Sequence, residues 1–157
     1  MSLTTEIQEL AAQYPESRSA IMPALRLAQE RYGWLPRHAL EEVGEALGLT
    51  PAYCMSVASF YDMYHLEPVG THMIEVCTNV SCALAGAQAT LEAFERELGI
   101  RPGETSADGE VTLRTVECYG GCGWGPVVAV DHRYHEPVKP DDVPRIMQAL
   151  KEERSGA

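Results

Sequence analysis

Two short cysteine pairs, each directly behind an apolar, β-branched run, constrain this chain more than any other feature. Glu75–Cys82 reads EVCTNVSC and sets Cys77 and Cys82 in a Cys-x4-Cys pair. Val116–Val130 reads VECYGGCGWGPVVAV and sets Cys118 and Cys122 in a Cys-x3-Cys pair inside a glycine-rich turn. Thiols at chelating spacing beside turn-forming residues point to a thiolate-ligated metal centre.

The 35 residues between Cys82 and Cys118 must then bring the pairs together. Met73–Val76 reads as a strand ending at Cys77. Ser81 is placed to cap a helix along which Leu84, Leu91, Phe94 and Leu98 hold helical spacing until Gly99. Residues 100–110, IRPGETSADGE, read as a polar loop. Val111–Glu117 alternates as a second strand, with Val111, Leu113 and Thr115 on one face. A strand, a crossover helix and a second strand in one sheet form a right-handed parallel unit. Parallel strands end at the same edge, so both pairs are expected at one rim, as a single four-thiolate site. Beyond it, Val127–Val130 and Tyr134–Glu136 read as a hairpin turned at Asp131-His132-Arg133, and Asp141 or Asp142 opens a last helix. The order β-α-β-β-β-α describes a two-layer α/β domain of thioredoxin-like type.

The first seventy residues are different in kind. A weak amphipathic stretch, Thr4–Tyr14, precedes a helix that Ser17 or Ser19 can cap, with Ile21, Leu25, Ala28 and Tyr32 on one face. Gly33 ends it, and Pro36 suits the first turn of a third helix carrying Leu40, Val43 and Leu47 up to Gly48. Thr50-Pro51 opens a fourth helix towards Tyr61, in which Cys54 reads as a small core residue. His65–Gly70, HLEPVG, is the expected boundary. The fold class is thus α+β: a small helical bundle over 1–69, then the thioredoxin-like domain over 70–157.

The formal charge of −11 splits as 9 acids against 4 bases in residues 1–70 and 14 against 8 in 71–157. Neither half has a basic stripe, which argues against nucleic acid or an anionic membrane surface as partner. No apolar run approaches the roughly 20 residues of a membrane span, and MSLTTEIQEL lacks a secretory core, so a cytoplasmic location is expected, without membrane insertion. In a reducing compartment, cysteines serve as ligands or reactive thiols more than as disulfides.

The spacing favours iron–sulfur over structural zinc, whose pairs are usually Cys-x2-Cys but reach x4. A zinc-stabilised interaction module therefore stays open as a non-redox alternative. A dithiol redox pair is weaker, since neither pair is Cys-x-x-Cys. The five histidines are scattered and read as surface or packing residues. Trp124, between two glycines, suits hydrophobic cover over the site slightly better than a docking role.

ALRLAQERYGWLP (24–36), SVASFYDMYHLEPVG (56–70), IEVCTNVSCALAG (74–86) and ECYGGCGWGPVVAV (117–130) together resemble the E subunit of bacterial respiratory complex I. That is the peripheral thioredoxin-like [2Fe–2S] subunit of NADH:quinone oxidoreductases. The resemblance implies a [2Fe–2S] cluster ligated by Cys77, Cys82, Cys118 and Cys122, with no ligand role for Cys54. It implies one-electron transfer beside a flavin-bearing, NADH-binding subunit, among other subunits of a peripheral arm on the cytoplasmic side of a membrane-bound complex. Similar subunits occur in NAD-reducing hydrogenases and NAD-dependent formate dehydrogenases. No G-x-G-x-x-G follows a strand here, so the subunit alone is not expected to oxidise NADH.

Overall fold

The computed structural model describes residues 1–155, in a chain that divides into two compact units, Met1–Val69 and Gly70–Ala157. The first unit contains α1 (Leu3–Ala11), α2 (Ile21–Tyr32), α3 (Arg37–Leu47) and α4 (Pro51–Phe60). Their apolar faces meet in one core, in which Ile7, Leu25, Ala28, Val43 and Cys54 are wholly buried. The Thr50 hydroxyl accepts the Tyr53 N–H at 3.2 Å, while Pro51 fills a first-turn position whose N–H has no helical partner anyway. α2 and α3 stop at Gly33 and Gly48, both left-handed.

Neither Ser17 nor Ser19 caps α2. A 3₁₀ turn, Ser17–Ala20, runs straight into the helix, so its own carbonyls serve the first helical N–H groups. Pro36 sits one place earlier than expected, as the extended residue before α3. Phe60 and Met63, just past the core, stand in solvent.

The second unit is a five-stranded sheet built from β1 (His72–Cys77), β2 (Glu104–Thr105), β3 (Val111–Val116), β4 (Val128–Val130) and β5 (Arg133–His135). The strand order is β2-β3-β1-β4-β5. β1 and β3 are parallel, with His72 opposite Val111 and Cys77 opposite Val116; the other pairings are antiparallel. The connection from β1 to β3 holds α5 (Val80–Leu84) and α6 (Ala87–Leu98), and α7 (Val143–Ser155) follows β5. Ile74 and Val76 of β1 pack with Phe94 of α6 and Met147 of α7 in one core, so both long helices cover the same sheet face. Met73, Glu75 and Cys77 point to the other face, by the two-residue period of a strand.

The crossover departs from the expected single helix. Gly86 is left-handed and divides it, with a buried Ala87 opening the longer piece. The polar stretch 100–110 includes β2, recruited to the sheet edge by pairing with Leu113 and Thr112. At the hairpin, Asp131 and His132 both take positive φ, and the Asp131 carboxylate accepts from Met73 N–H at 2.8 Å and contacts His72 Nδ1 at 2.7 Å. Those bonds offset the strain of two non-glycine left-handed residues.

We infer that the two units unfold as separate cooperative blocks. Thr50→Ala removes one cap, at about 1 kcal/mol. In calorimetry of the full chain it is expected to lower the transition of the helical unit and leave that of residues 70–157 in place; a single transition moving as a whole would contradict this.

Candidate metal centre

Cys77 is the last residue of β1, and Cys118 lies two residues beyond β3. Because β1 and β3 are parallel, both cysteines leave the sheet at one rim. Two backbone bonds fix it: Thr78 N–H donates to Val116 O at 3.0 Å, and Cys77 N–H donates to Val127 O at 3.0 Å. The Cys77 thiol also points at the Glu117 carbonyl, 3.8 Å away.

Cys82 reaches this rim from α5. The residue that starts α5 is Asn79, whose Oδ1 accepts from Val80 N–H at 2.9 Å; Ser81, the expected cap, is already inside the helix. Asn at the turn out of a strand is the better cap, because its short amide folds back on the next N–H. Cys82 and Cys77 are each 2% exposed and share a small core with Ala87, Val116 and Val127. Burial pushes the Cys82 thiol up, and the neighbouring Cys77 and Cys122 add to this, against a lowering bond from the Val127 backbone. The short helix α5, of five residues, does not offset that burial, since desolvation disfavours the charged thiolate. Backbone approaches this sulfur closely, since a Cβ at Gly125 would lie 3.2 Å from Cys82 Sγ.

Cys118 and Cys122 are the exposed half of the set. Gly120 N–H points at Cys118 Sγ at 3.2 Å, with φ of +76°, as only glycine adopts readily. Cys122 opens a 3₁₀ turn, Cys122–Trp124, which packs against α5. Trp124 is 66% exposed; with Val80 and Leu84 of α5, both exposed, it gives the rim an apolar outer surface.

Sequence reasoning missed what lies beneath the exposed loop. Glu75 is 3% exposed and pairs with Arg114, its partner across the parallel ladder, whose Nε donates to Oε1 at 2.6 Å. The Tyr119 phenol is pushed far up by burial and by this carboxylate. A lone glutamate within an otherwise apolar strand, MIEVC, was the available signal. Cys54 belongs to the helical core, where burial pushes its thiol up, and Glu117 is exposed. His38 meets Tyr32 edge-to-face and His72 engages Asp131. Among the described residues no three or more His, Cys, Asp or Glu side chains close on one point at metal-holding spacing. The rim carries the four cysteines, with Cys77 and Cys122 as electrostatic neighbours of Cys82.

Residues 7–151 match the model of the family described as thioredoxin-like [2Fe-2S] ferredoxin. The chain is similar to an NADH-quinone oxidoreductase E subunit, the one numbered 2, of Rhizobium meliloti, at 48% identity over 86% of this chain and 80% of that protein. The NADH-quinone oxidoreductase E subunit of Mycobacterium bovis is 36% identical over 95% of this chain, which spans only 59% of that longer relative. In structure the chain resembles an NAD+-reducing [NiFe]-hydrogenase in the air-oxidized state, with a TM-score of 0.75 and 22% identity, over 85% of this chain and 23% of that one. That last likeness is one of fold.

The donor set fits an iron–sulfur group. It offers four sulfurs with backbone N–H groups of Gly120 and Val127 beside two of them, the donors an anionic thiolate centre needs. Replacing Cys77, Cys82, Cys118 or Cys122 singly by Ser is expected to abolish or shift the visible absorption of anaerobically purified protein. Cys54→Ser should keep it and cost about 1–3 kcal/mol of stability, as a hydroxyl is placed in an apolar core. Colour lost with Cys54→Ser but kept with Cys82→Ser would overturn the assignment.

Proposed function

The chain belongs to the thioredoxin-like [2Fe–2S] ferredoxin family, and we propose that it is the electron-transfer subunit of an NADH:quinone oxidoreductase. Its cofactor is a [2Fe–2S] cluster, which when bound accepts and returns one electron. Cys77, Cys82, Cys118 and Cys122 would hold it. The buried pair supplies fixed sulfurs at the end of β1 and on α5. The exposed pair, on a glycine-rich loop, lets a partner come near the centre.

The observation that carries this reading is the rim itself. In a chain 48% identical to an NADH-quinone oxidoreductase E subunit, the exposed sulfurs are bordered by the exposed apolar side chains of Trp124, Val80 and Leu84. Electron transfer requires a donor close by, and an apolar border around the exposed ligands suits a protein docking face. The partner proposed is the flavin-bearing, NADH-oxidising subunit of the same complex, among other peripheral-arm subunits. No residue of this chain is assigned to NADH chemistry; the hydride step belongs to the partner. No helix among the described residues is long and apolar enough to cross a membrane, in keeping with a place in a peripheral arm on the cytoplasmic side. An equivalent role in an NAD-reducing hydrogenase or formate dehydrogenase has weaker support, because the hydrogenase likeness rests on fold at 22% identity. A zinc-stabilised module is displaced by the family membership.

Trp124→Ala tests the docking face. An exposed aromatic anchor at such a face carries about 2 kcal/mol or more. Affinity for the purified flavin subunit is expected to fall at least tenfold, with iron content unchanged. Unchanged affinity of the iron-loaded variant would sink the docking claim, and loss of iron instead would make Trp124 a structural part of the site.

A further inference from the structure

The loop Glu117–Gly125 carries two of the four candidate ligands and has little to hold it. Four of its nine residues are glycine, and Glu117, Cys118, Cys122 and Trp124 are exposed. Tyr119 is the exception. Its ring packs on the small core formed by Cys77, Cys82, Ala87, Val116 and Val127, and its hydroxyl is buried.

Beneath the ring is one row of the sheet. Arg114, Glu75, Ala129 and Tyr134 are register partners in turn across β3, β1, β4 and β5, and so lie side by side on one face. Ala129, fully buried, is the small member of the row and makes room for a ring above it. Tyr119 contacts Tyr134 at one end, with centroids 5.0 Å apart and planes at 49°. Its hydroxyl faces the Glu75 carboxylate closely enough for the two to interact but short of a well-formed hydrogen bond, and among the described residues it is the buried side-chain polar atom left without one.

Two features of this arrangement call for a role. A buried ion pair such as Glu75–Arg114 adds little stability that apolar residues could not supply, so its use is more often to fix an arrangement. A buried hydroxyl without a well-formed hydrogen bond is costly, a cost relieved if the loop settles slightly towards the sheet. Engagement of Cys118 and Cys122 by a cluster would draw the loop in that direction, towards Cys77 and Cys82.

We propose that Tyr119 is the positioning residue of the Cys118–Cys122 loop, its hydroxyl donating to the Glu75 carboxylate once the loop's thiolates are engaged. Arg114, bonded to that carboxylate, holds it aimed. The inference rests on the ligand reading given above for Cys118 and Cys122. It makes the iron-loaded state the one in which the buried polar group is satisfied, and so couples retention of iron to a residue that does not touch it.

Tyr119→Phe keeps the ring and deletes the hydroxyl. In the iron-loaded full chain it is expected to speed iron release to a chelator about tenfold, the usual size for a lost hydrogen bond to a charged group. It should also change the visible circular dichroism of the bound iron, while the melting point of iron-free protein stays level or rises, because the orphan is gone. Adding Glu75→Gln to Tyr119→Phe should give little further acceleration, since the hydroxyl from which the residue at 75 would accept is already gone. Wild-type release and an unchanged visible spectrum in Tyr119→Phe would overturn the proposal. So would fully multiplicative effects of the two changes, or a fall in the iron-free melting point with the spectrum unchanged. Cys122→Ser, measured alongside, separates the premises: if its visible spectrum matches the wild type, the ligand reading fails, whereas if that spectrum is lost or shifted and Tyr119→Phe behaves as wild type, only the positioning role fails.

Discussion

Everything at the metal rim depends on the parallel pairing of β1 with β3. The two strands share one direction, so the chain must cross the sheet between them, and α5 and α6 are that crossing. Their ends are then tied by Thr78 N–H to Val116 O, which sets the Cys77 loop against the residues leading into Cys118. A slip of one residue in this ladder would turn Ile74 and Val76 out of the helix-covered core and move Glu75 and Cys77 into it. The apolar face that buries Phe94 and the face that presents Cys77 and Glu75 are therefore fixed by the same register.

Where local pattern and tertiary demand agree, the sequence could be read directly. The strand ending at Cys77, the Thr50-Pro51 helix start, the glycine ends of α2 and α3, and the hairpin at Asp131-His132 all follow from short-range chemistry. The misreadings share another origin. Ser81 looked like a cap because it precedes a helical stretch, but the turn out of β1 begins two residues earlier and Asn79 closes it. Residues 104–105 carry no strand signal of their own; they pair because β3 presents an open edge. Gly86, inside what reads as one helix, is left-handed and splits the crossover, and a buried Ala87 opens α6.

The site was legible in its donors and not in its support. Cysteine spacing identifies which thiols can act together, since chelation is a local property of short loops. The row Arg114–Glu75–Ala129–Tyr134 is drawn from four strands, and no window of sequence contains it. Trp124 shows the same limit: flanking glycines allow either an inward or an outward ring, and only the packing of the Cys122–Trp124 turn against α5 leaves it outside.

The four sulfurs are divided by burial, and this division answers two opposed requirements. A thiol deep in an apolar setting is well fixed but costly to ionise, as the upward push on Cys82 shows. A pair on an exposed glycine loop can be approached by a partner, but is poorly fixed. Placing Cys77 and Cys82 at 2% exposure and Cys118 and Cys122 at the surface gives the centre one rigid side and one accessible side. The rigid side needs no device beyond the sheet and α5. The accessible side does, because its glycines supply conformational freedom where function asks for one geometry. That is why a tyrosine in the loop, and a charged pair in the strands below it, stand where apolar residues would otherwise serve the fold as well.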